Sequence, residues 1–246
     1  MTDDAVPSDS AIHVKNVCKS FGLLDALRGV SFDLKKGEFL TVFGPNGAGK
    51  TTLIKILSTI ARPTSGTAFV AGYDVLQGDA RLRNEIGVIS HATCLYGDLT
   101  PFENLVFYAR MHGLNDPPGR ASQVIEEVGL KARMHDPART FSRGMLQRLA
   151  IARAIVHNPS VLFLDEPYTG LDPHAAVILK EHLAALHTEK RTVLMTTHDI
   201  ARGLEMCDKV AIQVRGRIAF MDRVGNVDRD RFERFYFETV ENRQKT

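Results

Sequence analysis

Gly44, Gly49, Lys50 and Thr51 stand at the spacing G-x-x-x-x-G-K-[ST] within GPNGAGKTT, an arrangement suited to gripping a polyphosphate. Gly44, Gly47 and Gly49 let the backbone turn several N–H groups toward one anion, and a helix starting just after them adds its positive end. The loop Gly44, Pro45, Asn46, Gly47, Ala48, Gly49, Lys50, Thr51 and Thr52 is therefore the candidate phosphate cradle. Lys50 would reach the β- and γ-phosphates as a point charge, and the Thr51 hydroxyl would enter the shell of a Mg²⁺ ion. A second acidic constellation lies far downstream, where Asp165 and Glu166 close the apolar run VLFLDE. A carboxylate leaving the carboxyl end of a buried strand is placed where α/β sheets bind ligands, so Asp165 is the candidate partner of Thr51 on Mg²⁺. Glu166 points elsewhere and is the candidate base that orients the attacking water. His198 follows TVLMTT, again at a strand exit, as a cap or as a donor to a γ-phosphate oxygen.

These groups need elements to hold them. Phe39, Leu40, Val42 and Phe43 form a β-prone run into the glycine turn, and Leu53, Ile56, Leu57 and Ile60 recur at helical spacing after it. Upstream, AIHVKNVCKS and GVSFDLKKGEFLTVF supply strand-like runs parted by the turn Lys35-Lys36-Gly37, read as an antiparallel sheet leading into the phosphate-loop strand. Phe21 lies in a polar stretch before Gly22, either as a staple for that sheet or as an aromatic platform for a nucleotide base. TAFVAGYDV and the buried run Ile86 to Ile89 continue the strands.

The character changes after His91. Thr100-Pro101-Phe102-Glu103 is a capping box with proline at the first helical position. The helix it opens is expected to reach Gly113, followed by a loop through Gly119 that contains Pro117-Pro118. Val124, Ile125 and Val128 carry the next helical pattern, and a long amphipathic helix is expected from an N-cap at Ser142 to just before Pro159. Strand and helix then alternate to a hairpin at Arg215-Gly216, and continuous apolar strands such as Val161 to Leu164 imply a parallel sheet covered on both faces.

Length and composition agree with one large α/β domain. The 246 residues carry a net charge of +2 with both signs interspersed, which makes no electrostatic case for nucleic acid. No segment approaches the roughly 18–20 apolar residues of a membrane span, and MTDDAVPSDS lacks a signal peptide's apolar stretch. The chain is expected to stay cytoplasmic, with residues 1–10 as a disordered leader. Cys18, Cys94 and Cys207 are far apart and odd in number, so they read as packed thiols rather than as a disulfide or zinc set.

In this order and combination the motifs resemble the ATP-binding cassette ATPases, the nucleotide-binding subunits of ABC transporters, over nearly the whole chain. The resemblance implies an α/β P-loop NTPase fold of the ABC ATPase type: a mixed-sheet core with an N-terminal antiparallel β-subdomain and an inserted α-helical lobe. It divides the chain into a leader at 1–10, one ATP-binding domain at 11–221 with a RecA-like core and a lobe at about 92–158, and a tail at 222–246. Nothing assigns that tail, whose Phe232-Phe235-Tyr236-Phe237 cluster suits helix or strand. Phe21 matches the family's base-stacking aromatic, and His91 falls where the family has the Gln of the lobe-joining loop. Phe141-Ser142-Arg143-Gly144-Met145 resembles the signature LSGGQ, Gly170-Leu171-Asp172 the D-loop, Asp165 and Glu166 the metal aspartate and catalytic glutamate, and His198 the switch histidine.

Family behaviour implies ATP and Mg²⁺ as ligands, and a head-to-tail homodimer with ATP between one phosphate loop and the other subunit's signature helix. In that sandwich Ser142, Arg143, Gly144 and Met145 would face the partner subunit's ATP. Arg143 replaces a glycine, either as a cation near the nucleotide or as a solvent-facing side chain; Met145 replaces the glutamine. The implied function is to power export through a separate integral membrane permease, from the cytoplasmic face of the membrane as a peripheral subunit without direct membrane insertion. The groove from His91 to Pro101, with Leu95 and Tyr96 exposed, would receive a cytoplasmic helix of that permease. Small size, the His91 loop and a D-loop followed closely by a helix make the chain look similar to the haem-exporter subunit of cytochrome c maturation, with small drug, lipid or sodium exporters as the alternative cargo class. A soluble ABC ATPase acting on nucleic acid or ribosomes, and a regulatory module without turnover, are the rivals from other classes.

Overall fold

The computed structural model describes residues 8–90, 93–188 and 190–244. Its frame is a six-stranded sheet in which β3 (Phe39–Phe43), β6 (Ile86–Ile89), β7 (Val161–Asp165), β8 (Thr192–Thr197), β9 (Lys209–Val214) and β10 (Arg217–Arg223) are ordered β10-β9-β3-β8-β7-β6. Every pair is parallel except the β9–β10 hairpin. All five residues of β3 and of β7, and all six of β8, are buried.

The alternation of side chains explains why these runs carry no charge before Asp165 at the end of β7, their polar members being threonines. Phe39, Phe43, Leu162, Leu164, Val193 and Met195 enter one apolar cluster, whereas Leu40, Val42, Val161, Phe163 and Leu194 enter the other. A strand whose two faces are both covered has no face left for charge.

The second cluster is closed by the N-terminal antiparallel sheet: β1 (Ser10–Phe21), β2 (Leu24–Lys35), β4 (Ser65–Val70) and β5 (Tyr73–Asp74), ordered β2-β1-β4-β5. Between the two sheets lies α1 (Lys50–Leu57), which buries Leu53, Ile56 and Leu57. The first cluster is covered by α3 (Pro101–Met111), α4 (Pro117–Glu127), α5 (Arg143–Ile155), α6 (Pro173–Thr188) and α8 (Arg229–Gln244). Two short helices, α2 (Ala80–Glu85) and α7 (Ile200–Leu204), follow β5 and β8. The capping box at Thr100 and Glu103 is formed in full.

Several local expectations change. Pro117 and Pro118 do not sit in a loop; they open α4, with the Asp116 side chain accepting from the Gly119 N–H. The first helical turn has N–H groups without intrahelical partners, so proline costs nothing there. The tail forms the end of β10 and then α8, which buries Phe232, Tyr236 and Val240 at helical spacing. At the other end, Ser10 is already buried in β1, and Asp9 pairs with Lys35 at 2.6 Å. The remaining leader positions, 1–7, lie outside the described residues. Of the three cysteines Cys207 is buried, Cys18 half-buried and Cys94 exposed, so the packed-thiol expectation fails at Cys94. Leu95 is half-buried against the core, and Tyr96 is exposed. Among the described residues no helix is long and apolar enough to cross a membrane.

Where α3, α5 and β6 meet, His112 and His157 stack face to face with centroids 3.7 Å apart. His157 Nε2 contacts the Ile86 carbonyl at 3.0 Å, and the Arg153 guanidinium donates to the Val88 carbonyl at 2.6 Å. Burial is the main cause that depresses the pKa of Arg153 and of both histidines.

Candidate nucleotide site

The phosphate loop leaves β3 at Phe43 and enters α1 at Lys50. Gly47 and Gly49 take φ of +78° and +101°, conformations that cost a side-chain-bearing residue. Gly44 and Gly49 are also pressed from behind: a Cβ at Gly44 would strike the Gln213 carbonyl, and one at Gly49 the Ala26 carbonyl. Two donors fix the loop from that side, the Gly216 N–H at 2.9 Å and Gln213 Nε2 at 3.0 Å, both on the Ala48 carbonyl. Within the loop the Ala48 N–H donates to the Pro45 carbonyl at 3.2 Å.

Lys50 is buried, with Nζ donating to the Gly44 carbonyl at 2.6 Å and standing 3.5 Å from Glu166 Oε1. The Thr51 hydroxyl donates to Asp165 Oδ1 at 3.1 Å, and Thr196 Oγ1 donates to the same oxygen at 2.7 Å. Asp165 is almost fully buried. A buried carboxylate beside a hydroxyl is an all-oxygen donor set, which fits a hard cation such as Mg²⁺ completed by phosphate and water. Among the described residues no cluster of three His, Cys, Asp or Glu side chains offers another cation site.

Glu166 adopts φ of +52°, unusual for a residue with a side chain, and its N–H donates to the Thr196 carbonyl at 3.0 Å. That turn directs its carboxylate away from Asp165, toward His198 Nδ1 at 2.9 Å and Lys50. The negative charge is felt nearby: burial and then Glu166 raise the pKa of Tyr236 on α8. Burial pushes Tyr168 up to about 12, so both phenols stay neutral beside the site.

A cavity of about 340 Å³ runs from Phe21 and Leu24 across the loop, past Lys50 and Thr51, to Glu166. Phe21 is half-exposed at its mouth, with Lys19 Nζ 4.8 Å from the ring centroid. The ring is thus open to the cavity and not packed inside the sheet. A larger groove, about 740 Å³ between β10 and α8, contains none of these groups.

The signature residues lie apart from that cavity. Ser142 caps α5, its hydroxyl accepting from the Met145 N–H at 3.3 Å. Ser142, Gly144 and Met145 line a small cavity with Asp172, whose Oδ1 caps α6 through the Ala175 N–H at 2.8 Å. Arg143 turns the other way and donates to the Thr169 carbonyl at 3.2 Å. His91 lies outside the described residues. Gln213, Thr196 and Gln147 went unread in the sequence. For Gln213 and Thr196 the one signal was a polar side chain inside an otherwise apolar run, as in KVAIQV; Gln147, beside Arg148, carried none.

A glycine loop at a helix start, backed by a carboxylate pair at the exit of a parallel sheet, defines the site of a P-loop NTPase. Comparison with known proteins makes this specific. Residues 27–169 match the family model described as ABC transporter. A linearmycin resistance ATP-binding protein of Bacillus subtilis (strain 168) is 36% identical over 209 residues, 84% of this chain and 67% of its own. A Nod factor export ATP-binding protein I of Burkholderia orbicola (strain AU 1054) is 37% identical over 212 residues, 85% of this chain and 70% of its own. Among solved structures, the dimeric post-hydrolysis state of the ATP-binding cassette MJ0796 bound to ADP and Pi aligns with a TM-score of 0.79 at 25% identity. That alignment covers 87% of this chain and 98% of the other. The chain belongs to the ABC transporter family and is one of its ATP-binding subunits, an ABC-type ATPase.

Proposed function

We propose that this ATPase powers export through a separate integral membrane permease, held as a peripheral subunit at the cytoplasmic face. Two copies close head to tail, each phosphate loop taking ATP that the other subunit's Ser142 and Gly144 cap. The observation that carries this reading is the separation within one chain. The signature end of α5 lines a cavity with Asp172, and the phosphate loop lines another with Phe21 and Glu166. A helix N-terminus whose exposed capping hydroxyl still has its own proton to donate suits an anion supplied from outside its own subunit.

Within each site Phe21 stacks on the base, Lys50 and the loop N–H groups hold the phosphates, and Thr51 with Asp165 holds Mg²⁺. The metal, when bound, neutralises charge on the β- and γ-phosphates. Glu166 accepts a hydrogen bond from the attacking water, and His198, 2.9 Å from its carboxylate, fixes its orientation. The resistance and export names of the two relatives favour a drug- or lipid-like cargo over haem.

Two measurements test this. Glu166→Gln should form an ATP-dependent dimer in sedimentation that ADP does not support; a variant that stays monomeric at saturating ATP removes the sandwich. For cargo, deletion should sensitise cells to membrane-active drugs and leave c-type cytochromes normal. Loss of cytochromes with unchanged drug sensitivity would restore haem.

A further inference from the structure

Arg143 occupies the signature position where family resemblance expects glycine; it is exposed, yet its guanidinium is held against the chain and turned from the face that Ser142 and Gly144 present. Its guanidinium lies across Gly170, filling the space that a side chain there would need, and donates to the Thr169 carbonyl at 3.2 Å. One turn further along α5, Gln147 Nε2 donates to the Pro167 carbonyl at 3.1 Å. Two side chains at i and i+4 therefore grip carbonyls two residues apart in the segment that joins Glu166 to Asp172.

That segment is a tight turn in its own right. The Thr169 N–H donates to the Glu166 carbonyl at 3.1 Å, and the Leu171 N–H to the Tyr168 carbonyl at 3.2 Å. Gly170, at φ of +72°, has no side chain to keep the guanidinium away. On the far side of α5, Gly144 packs on α6, where a Cβ would stand 2.9 Å from that of Ala175. Arg143 also lines a cavity of about 180 Å³ with Glu166.

We infer that Arg143 is a positioning residue acting within its own subunit: it fastens the start of α5 to residues 167–170, and through them sets where Glu166 stands. The donor is charged and the acceptor a backbone carbonyl, so the contact is directional and stronger than a neutral one. Its consequence across the interface rests on the dimer proposed above. There, Ser142 and Gly144 meet the partner subunit's nucleotide while Arg143, between them in sequence, holds the glutamate of its own site. Loading of one site then biases the geometry of the other.

The test uses Arg143→Ala and Arg143→Lys, surface changes that leave the core intact. Hydrogen exchange on the nucleotide-free chain should show faster exchange at the 169 and 171 amides in Arg143→Ala, with Arg143→Lys close to wild type. In steady-state ATPase assays Arg143→Ala should lower kcat about tenfold and move KM for ATP by no more than about twofold, the pattern of a lost transition-state contribution. In the Glu166→Gln background, Arg143→Ala should keep the ATP-dependent dimer. Unchanged exchange or unchanged kcat overturns the inference. So does a raised KM with loss of that dimer, which would put the guanidinium on the partner subunit's phosphate. Exchange is read without nucleotide, so its result stands whether or not the dimer reading survives.

Discussion

Lowering the pH should destabilise this protein, and among the histidines whose pKa burial lowers His157, with the largest shift, should contribute most. Its pKa is pulled from 6.5 down to about 4, chiefly by burial and next by stacked His112, with Arg153 and Arg120 adding to the effect. The folded-state value lies below the unfolded one, so between those two values the unfolded chain binds the extra proton. Stability is therefore complete above the unfolded pKa and falls as pH drops toward the folded one. At about 1.4 kcal/mol per unit, the ceiling of the effect is about 3 kcal/mol, of which about 2 kcal/mol is already lost at about pH 5. For a domain of this size that corresponds to a fall in Tm of about 4–8 °C. Urea unfolding of wild type and His157→Gln from neutral pH to about pH 5 measures it. The glutamine amide can still donate to the Ile86 carbonyl that His157 meets at 3.0 Å, and any fixed loss of stacking shifts the variant's curve without tilting it. Wild type should lose about 2 kcal/mol more than the variant over that range; parallel curves would refute the reasoning.

Two further outcomes are expected. Lys50→Ala should abolish ATP binding measured by calorimetry or a fluorescent nucleotide, because the buried ammonium centred on the loop is the cradle's one side-chain cation; retained micromolar binding would remove the loop from the site. Phe232→Ala should destabilise the fold by about 3–5 kcal/mol, since the ring is buried and 5.3 Å from that of Phe43, the residue that precedes the phosphate loop. An unfolding midpoint equal to wild type would leave α8 without a structural role.

The phosphate loop was legible because its chemistry is local: glycines, lysine and threonine within a few residues dictate turn, charge and ligand together. The strands of the core were legible for a related reason, since burial on both faces leaves an unbroken apolar run. Pro117-Pro118 misled because proline marks both loops and first helical turns, and Asp116 decides between them only once its side chain is seen to cap. The tail stayed unassigned because Phe232, Tyr236 and Val240 are scattered among charges, and the face that receives them belongs to strands folded elsewhere. Arg143 kept its alternatives open because the carbonyl it meets is 26 residues away. The sequence contained the donor and the acceptor, but not their encounter.

The backing of the phosphate loop has a consequence for how the protein is made. Ala48 is anchored by Gln213, 165 residues later in the chain. At about 5–20 residues per second, a nascent chain carries the whole glycine motif for roughly 8–30 s before the hairpin that shapes it is synthesised. Throughout that interval the motif exists as text but not as a receptor. A polypeptide that ends before Gln213 therefore lacks both donors that back the Ala48 carbonyl, and the loop gains that support only after the carboxylates and the histidine have been made.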